Sequence, residues 1–228
     1  MNVTVVIPTL NEAGSIGDLV KDLQRQPVAE IIVVDNASTD GTADAAQRAG
    51  ARVIREPRRG YGHACAAGVA AARGNDVFVF IDGDYSFLPS EMPALLAPLE
   101  QGRADLVLGS RTRGHIAPVS MPPQQRFGNW LGARLLRLLY GAPVTDLGPY
   151  RAITRELLST LDMREMTYGW HIEMIAKAAR RHARIVEVPI SYHARRVGVS
   201  KVSGTLRGSL LAGYYILTIV FRYARVNR

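Results

Sequence analysis

The segment VFVFIDGDYSF, residues 77–87, has five consecutive apolar residues followed by Asp82, Gly83 and Asp84. An unbroken apolar run of this kind is typical of a β-strand that is covered on both faces. In extended chain, residues two positions apart point to the same side, so the two carboxylates face one small volume. Ligands of open α/β sheets bind at the carboxyl ends of the strands. The segment therefore predicts a buried central strand that ends at a polar site.

Two carboxylates held close together repel each other unless a positive charge joins them. Mg²⁺ is commonly held by one or two carboxylates together with the phosphates of a substrate. We therefore predict that Asp82 and Asp84 hold a divalent cation and a phosphorylated ligand. The alternative is an ordinary solvated turn, because Asp and Gly are also common in turns.

The composition favours one globular domain, or one domain with an appendage, since the chain has 228 residues of which 47% are hydrophobic. The single cysteine, Cys65, excludes an internal disulfide and a cysteine-based zinc site. The net charge is +8, and no acidic residue lies between Asp105 and Asp146 or after Glu187. Segregated basic charge attracts nucleic acid, anionic lipid or a phosphorylated substrate.

Apolar runs alternate with amphipathic stretches along the chain, which predicts an α/β fold with a Rossmann-like, mostly parallel central sheet flanked by helices. The segment 116–125 contains three prolines and is predicted to be an irregular loop. The glycine signatures of dinucleotide-binding and P-loop proteins are absent from the sequence. Strands are predicted at 3–7, 30–34, 52–55, 77–81, 105–109 and 184–192, and helices at 12–26, 42–49, 60–73, 91–99, 127–140 and 170–181.

The C-terminal segment carries an apolar run, 210–221, between Arg207 and Arg222. The run is too short to span a bilayer. It predicts a helix that either lies in a membrane interface, with its basic ends near lipid phosphates, or docks on the rest of the chain. We accordingly divide the chain into a domain at 1–204 and a C-terminal helix at 205–228.

The motifs VVIPTLNEAGSI, VVDNASTDGT, GYGHACAAG, FIDGDYS and VLGSR, in this order, resemble those of the family 2 glycosyltransferases, which have the GT-A fold. The later motifs DLGPYRAI, GWHIEM and VPISYHARRVGVSKVSGT are similar to those of the polyprenyl-phosphate branch, which includes the dolichyl-phosphate mannose synthases. The resemblance extends over nearly the whole chain. It implies a hexosyltransferase that uses a UDP- or GDP-linked sugar.

The resemblance also assigns residues to the donor. Asp82 and Asp84 match the DXD motif, which implies that they hold the ribose and a Mg²⁺ or Mn²⁺ ion on the diphosphate. Asp35 matches a residue that contacts the base or ribose. The other implied donor-binding positions are Pro8, Leu10, Asn11 and Glu12 in the loop after the first strand, the glycine turn at Gly60 and Gly62, and a phosphate-covering loop with Arg196, Ser200 and Lys201.

On the acceptor side, the resemblance implies that Arg111 and Arg126 bind a phosphate. It places Asp146 and Arg151 beneath the site and Glu173 as the acidic residue on the acceptor side. A lipid phosphate is already anionic at neutral pH and needs positioning more than a base. A hydroxyl acceptor would need a base within hydrogen-bond reach, for which Asp146 and Glu173 are the candidates.

The resemblance implies a metal-dependent transfer to a polyprenyl phosphate with inversion of the anomeric centre. We predict a cytoplasmic protein bound peripherally at the inner face of the cell membrane. The chain departs from the branch at Ser86, where Gln is frequent, and at Gly148-Pro149, where Ser-Gly is common. These departures leave a soluble phosphorylated or hydroxyl acceptor open. A non-catalytic protein that binds nucleotide sugars or nucleic acid is a further alternative, although no signature of a nucleic-acid-binding domain is present in the sequence.

Overall fold

Strands and helices alternate along the chain, as the sequence predicts. The structure is a computed structural model, and it describes residues 1–197, 214 and 217–224. The strands are β1 (Val3–Thr9), β2 (Glu30–Asp35), β3 (Arg52–Arg55), β4 (Val77–Phe80), β5 (Leu106–Ile116), β6 (Arg151–Thr154) and β7 (Ile185–Tyr192). The helices are α1 (Ala13–Leu23), α2 (Thr42–Arg48), α3 (Tyr61–Ala71), α4 (Met92–Glu100), α5 (Pro123–Tyr140), α6 (Arg155–Thr160) and α7 (Trp170–Arg180).

These strands form one seven-stranded sheet in the order β3-β2-β1-β4-β6-β5-β7. The pairs β3–β2, β2–β1, β1–β4 and β5–β7 are parallel. Only β6 runs antiparallel to its neighbours, β4 and β5. Because β4 and β5 are both antiparallel to β6, they run in the same direction. The carboxyl ends of the six parallel strands therefore meet at one edge of the sheet, and the predicted mostly parallel sheet is confirmed.

The core occupies both faces of the sheet, because successive side chains of a strand point to opposite sides. Val5 and Val79 lie on one face in a cluster that includes residues of α1 and α4. Val6, Phe78 and Phe80 lie on the other face with residues of α3, α5, α6 and α7. The central strand β4 is buried along its whole length, as its unbroken apolar sequence predicts.

Three features differ from the sequence prediction. α5 begins at Pro123, not at residue 127, because proline is well tolerated in the first turn of a helix, where its missing N–H has no intrahelical acceptor. β5 extends past 109 to Ile116 and pairs with β7 beyond an irregularity after Ser110. The short helix α6 was not predicted, and it is capped by Thr154, whose side chain accepts a hydrogen bond from Leu157 N.

The described part of the C-terminal segment is helical at 217–224. Ile219 and Val220 are buried in the core, while Leu217 and Phe221 are exposed. These residues favour the docked alternative over a helix that lies free of the domain. Apart from Tyr214, the rest of 205–228 lies outside the described residues, and the division of this segment from 1–204 stays a prediction. Within the part of the chain that the structure describes, no helix combines the length and apolar character needed to cross a bilayer.

Candidate active site

Backbone conformations mark the loops that follow β1, β2 and β4. Each loop holds one non-glycine residue with positive φ: Asn11 at 54°, Ala37 at 63° and Tyr85 at 61°. Such conformations are uncommon for residues with a side chain and concentrate at functional sites. All three lie at the carboxyl edge of the sheet, where α/β proteins bind their ligands.

The loop after β1 is tied to the loop after β2. The backbone N–H of Asn11 donates to Ser38 Oγ at 2.9 Å, and Asn11 Oδ1 accepts from Thr39 N at 2.8 Å. The backbone N–H of Glu12 donates to Thr42 Oγ1 at 2.8 Å. The predicted donor-binding residues Asn11 and Glu12 therefore help to shape the loop after β2.

A cleft of about 570 Å³ opens beside these loops. Its walls include Asp35 at the end of β2, Ser38 after it, Asp44 in α2, and Arg55 and Glu56 at the end of β3. A volume of this size lies within the range of small-molecule sites and is large enough for a nucleoside. Asp35, predicted to contact the base or ribose, is thus placed in the cleft wall, where its Oδ1 accepts from Ser38 N at 3.1 Å.

The other two residues predicted in the first loop have different surroundings. Pro8 is buried within β1, and Leu10 is half-buried immediately after it. Pro8 pairs with Val34 of β2, one residue before Asp35. Pro8 therefore lies beside the strand that ends at the cleft, and the contact of either residue with a donor stays a prediction.

The glycine turn before α3 packs against the loop that precedes α7. A Cβ atom at Gly60 would lie 2.3 Å from Met166 O, and one at Gly62 would lie 2.3 Å from Glu165 O. The backbone N–H of Gly62 donates to Thr167 O at 3.2 Å. The glycines permit this close backbone approach, and the Gly62 amide is occupied. The close packing gives the two glycines a structural role, and their predicted contact with a donor stays a prediction.

The two aspartates after β4 stand in different environments. Asp84 is buried, and its Oδ1 accepts from Ser86 N at 2.9 Å and from Ser86 Oγ at 2.6 Å. Asp82 is half-buried. Between them, Gly83 lies so close to β1 that a Cβ atom would be 2.6 Å from Thr9 Cγ2. The glycine thus lets the pair sit directly against the loop after β1.

Arg195 occupies the space beside this pair. Its Nε lies 3.1 Å from Asp84 Oδ2, and its Nη1 lies 3.4 Å from Glu12 Oε1. The resemblance implied a donor contact for Arg196 and not for Arg195. Arg196 instead pairs with Asp18 at 3.0 Å, and its guanidinium carbon lies 3.6 Å from the centre of the Tyr85 ring. The two arginines are adjacent in the chain, and no local signal in the sequence separates their roles.

The raised pKa of Asp82 is consistent with a site that holds a cation. Burial, and next the neighbouring Asp84 charge, raise the pKa of Asp82 to about 7, against the opposing effects of Arg195 and Arg111. A bound cation would reverse this and favour both ionised carboxylates. Among the described residues no three His, Cys, Asp or Glu side chains are gathered as a complete metal site. Two carboxylates can still hold Mg²⁺ or Mn²⁺ when phosphates and water supply the other ligands, so Asp82 and Asp84 fit the predicted ion.

Arg111 and Asp146 form a buried ion pair. Arg111 Nη2 lies 2.6 Å from Asp146 Oδ1, and Arg111 Nε lies 2.9 Å from Asp146 Oδ2. The backbone N–H of Arg111 also donates to Asp146 Oδ2 at 2.6 Å. Burial disfavours the charged guanidinium, but the charge and the hydrogen bonds of Asp146, with smaller effects of Tyr192 and Asp82, together outweigh burial and raise the pKa of Arg111. Both oxygens of Asp146 are therefore used by Arg111, which leaves Asp146 poorly suited to act as a general base.

The second predicted acceptor arginine lies elsewhere. Arg126 is exposed in the first turn of α5 and donates from Nε to Met121 O at 3.1 Å. α5 also carries Asn129, whose Oδ1 lies 3.4 Å from Arg111 Nη2. Their joint binding of an acceptor phosphate stays a prediction.

Arg151 is fully buried and connects separate segments through its hydrogen bonds. It donates to the carbonyl of Gly148, to Pro149 O at 3.3 Å and to His171 O at 3.0 Å. Burial lowers the pKa of Arg151 to about 10, so it is charged at neutral pH. The residue therefore joins the turn before β6 to the first turn of α7, and its predicted position beneath the site stays a prediction.

Glu173 is buried and accepts hydrogen bonds from several segments. Its carboxylate accepts from the backbone N–H groups of Arg164, at 3.0 Å, and Glu165, at 2.7 Å. It pairs with Lys177 at 2.8 Å and accepts the hydroxyl hydrogen bond of Tyr223. These contacts join α7, the loop before it and the C-terminal helical segment. They give Glu173 a structural role, and its predicted catalytic role stays a prediction.

We expect Glu173→Gln to lower the free energy of unfolding by about 2–4 kcal/mol, because a neutral amide replaces a buried carboxylate that has four donors. Urea denaturation measures the change. The matched control is Glu156→Gln, on the exposed surface of α6, which should leave stability nearly unchanged. A variant that keeps its stability and loses only turnover would make Glu173 a catalytic residue and contradict the structural role.

Ser200 and Lys201, predicted to cover the donor phosphates, lie outside the described residues. The segment that leads to them follows β7. The backbone N–H of His193 donates to Ser86 O at 2.9 Å, and that of Arg196 donates to Asp84 O at 3.4 Å. The start of the predicted phosphate-covering loop is thus hydrogen-bonded to the aspartate loop.

Solved structures share this architecture. Glucosyl-3-phosphoglycerate synthase of Mycobacterium tuberculosis, crystallised with Mn²⁺, UDP and phosphoglyceric acid, matches with a TM-score of 0.80 and 25% sequence identity. The match covers 100% of this chain and 80% of that chain. The sheet, with its nucleoside-sized cleft and carboxylate pair at one edge, therefore defines a glycosyltransferase of the GT-A fold.

Sequence comparison narrows the class. The model of glycosyl transferase family 2 matches residues 4–162. A glycosyltransferase of M. tuberculosis without a defined substrate is 41% identical over 210 residues, which are 92% of this chain and 94% of that protein. The undecaprenyl-phosphate mannosyltransferase of Micrococcus luteus is 36% identical over 221 residues, 91% of this chain and 90% of that protein. The chain belongs to glycosyl transferase family 2.

Proposed function

We propose that this enzyme transfers a hexose from a UDP- or GDP-linked sugar to a polyprenyl phosphate at a membrane surface. The use of a nucleotide-sugar donor is supported by the Asp82–Asp84 pair, which lies on the same edge of the sheet as a nucleoside-sized cleft. The polyprenyl-phosphate acceptor is supported by the M. luteus relative, which is named for an undecaprenyl-phosphate acceptor.

In the proposed reaction, an acceptor phosphate oxygen forms a bond to the anomeric carbon while the bond to the nucleotide diphosphate breaks. The diphosphate leaves with the electron pair, and attack from the opposite side of an α-linked donor inverts the anomeric centre. A divalent cation held by Asp82 and Asp84 would supply Lewis-acid charge to the leaving diphosphate. Arg195, displaced from Asp84, would add fixed positive charge at the same oxygens.

The surroundings of the candidate bases favour a phosphate acceptor over a hydroxyl. A hydroxyl acceptor needs a free base within reach, whereas a phosphate is already ionised. Asp146 has both oxygens bound to Arg111, and Glu173 is bound by four donors. Neither carboxylate is available without breaking a buried network.

A soluble phosphorylated acceptor is the second candidate. It is favoured by the similarity to glucosyl-3-phosphoglycerate synthase, whose crystal structure contains phosphoglyceric acid. A transfer assay separates the two: label from the donor should enter a solvent-extractable product with undecaprenyl phosphate, and it should not enter phosphoglyceric acid. The reverse result would establish the second candidate.

The donor is tested by a thermal-shift panel of UDP-, GDP- and dTDP-sugars, each with and without Mn²⁺ or Mg²⁺. We expect one nucleotide class to raise the melting temperature, and to do so far more with metal, because a ligand that binds only the folded state stabilises it. EDTA should remove the increase. Equal stabilisation by all three classes, or none by any, would contradict a specific nucleotide-sugar site.

A further inference from the structure

The outward side of α5 is chemically unlike the exposed side of an ordinary surface helix. Phe127, Trp130, Arg134 and Leu138 follow one another at helical spacing and form what we call the α5 outer face. Phe127 is 62% exposed, Trp130 54% and Leu138 77%. A helix on the surface of a protein normally places polar residues on this side.

The opposite side of the same helix accounts for its attachment to the domain. Asn129, Gly132, Ala133 and Leu136 are buried. The apolar residues of the outer face are therefore not needed to fold the helix. Phe127 and Trp130 have ring centres 5.9 Å apart, and the Arg134 guanidinium lies 5.9 Å from the centre of the Trp130 ring, so the face is an ordered cluster of aromatic and cationic groups.

The charge of this region has one sign. Arg126, Arg134 and Arg137 of α5 are exposed, and the sequence has no acidic residue from 106 to 145. A second copy of the chain, docked about a twofold axis, would place these arginines against their own equivalents without a compensating carboxylate. An anionic surface has the opposite charge. Aromatic and leucine side chains flanked by arginines are the composition of helices that lie in a membrane interface.

We propose that the α5 outer face docks on the surface of an anionic lipid bilayer, with Phe127, Trp130 and Leu138 in the interface and the arginines on lipid phosphates. This inference deepens the proposed function and rests on it for the lipid-linked acceptor. It assigns the membrane contact to α5, whereas the sequence offered the C-terminal segment as one alternative for such a contact.

Hydrogen bonds connect α5, the helix that carries the outer face, to the rest of the protein. On the inner side of α5, Asn129 Oδ1 accepts from Leu147 N at 2.9 Å, next to the Arg111–Asp146 pair. At the end of α5, the Tyr140 hydroxyl donates to Val220 O in the C-terminal helical segment. A bilayer bound at α5 would thus lie beside the end of the sheet where the acceptor arginines are predicted.

The test uses the full chain without nucleotide and vesicles of phosphatidylcholine, with or without phosphatidylglycerol. We expect co-sedimentation with the anionic vesicles and a loss of binding at high salt. Phe127→Ser/Leu138→Ser and Arg134→Gln/Arg137→Gln should each weaken binding by roughly tenfold or more. The matched control, Arg73→Gln/Arg103→Gln, removes two exposed charges from the opposite edge of the sheet and should bind as the unmodified protein does.

Tryptophan emission identifies the docking face directly. The chain has two tryptophans, Trp130 on the outer face and Trp170 in the core. Vesicle binding should shift the emission to shorter wavelength, and brominated lipid should quench it. Trp130→Phe should remove both effects while co-sedimentation continues, because Trp170 is already shielded from water.

Any of three results would overturn the inference. The protein could show no preference for anionic vesicles, the Phe127→Ser/Leu138→Ser variant could bind as tightly as the unmodified protein, or the Trp130 emission could stay unchanged on binding. Dimerisation that this double variant abolishes would assign the face to a second copy instead. These measurements do not require turnover. A failure of docking would therefore leave the nucleotide-dependent thermal shift unaffected, and a missing thermal shift would leave the docking result unaffected. The two proposals can thus fail separately.

Discussion

Asp84→Asn should reduce the turnover number by roughly 10²–10³-fold, equivalent to about 3–4 kcal/mol of transition-state stabilisation. The proposed cation would lose one of its two protein carboxylates, and the leaving diphosphate would lose charge stabilisation when its bond breaks. The same change should remove the metal-dependent part of the thermal shift produced by the nucleotide. Transfer assays at saturating donor, together with melting curves, measure both effects.

The matched control is Asp105→Asn. Asp105 also pairs with an arginine, Arg184, at 2.5 Å, but at the amino-terminal end of β5, on the edge of the sheet opposite the site. It should leave turnover unchanged. Melting of the ligand-free Asp84→Asn variant must be compared as well, because Asp84 also pairs with Arg195. Full turnover and an unchanged metal response in Asp84→Asn would mean that any ion is held elsewhere and would contradict the proposed donor site.

Asp146→Ala should lower the free energy of unfolding by about 3–5 kcal/mol, because it leaves the Arg111 guanidinium buried without its counter-charge. The Arg111 backbone N–H would lose its acceptor as well. Urea denaturation followed by circular dichroism measures the loss. A loss of this size would be a large fraction of the stability of an ordinary domain.

The double variant Arg111→Met/Asp146→Leu should recover most of that stability, because it removes both buried charges and fills their space with apolar groups. Asp105→Ala, which breaks a pair in which Arg184 is largely exposed, should cost clearly less than Asp146→Ala. The competing hypothesis makes Asp146 the base for a hydroxyl acceptor. Near-normal stability of Asp146→Ala, with lost turnover, would support that hypothesis.

The strands were largely predictable because their signal is local. β2, β3 and β4 match the predicted segments within one residue, since continuous apolar runs identify strands without knowledge of their partners. The position of β6 was not predictable in this way. Its insertion between β4 and β5, antiparallel to both, depends on pairing between residues such as Val79 and Ala152, which are far apart in the chain.

The site was predicted in part for the same reason. The abrupt change from Ile81 to Asp82 locates the end of the central strand, and the structure places it at the edge that carries the nucleoside-sized cleft. The partner of Asp84 was missed, because nothing local in the sequence distinguishes Arg195 from Arg196. The resemblance to relatives supplied the reaction class, which the comparisons confirm, while the acceptor remains a proposal.

The sequence by itself determined the α/β architecture, the central strand and the family, because hydrophobic periodicity and ordered motifs are properties of neighbouring residues. Only the tertiary structure decided what each charged group does. Arg111 neutralises Asp146, Arg195 neutralises Asp84, and Glu173 accepts hydrogen bonds from three separate segments. The interaction of charges depends on their separation and burial in space, and folding sets both by joining parts of the chain that are distant in sequence.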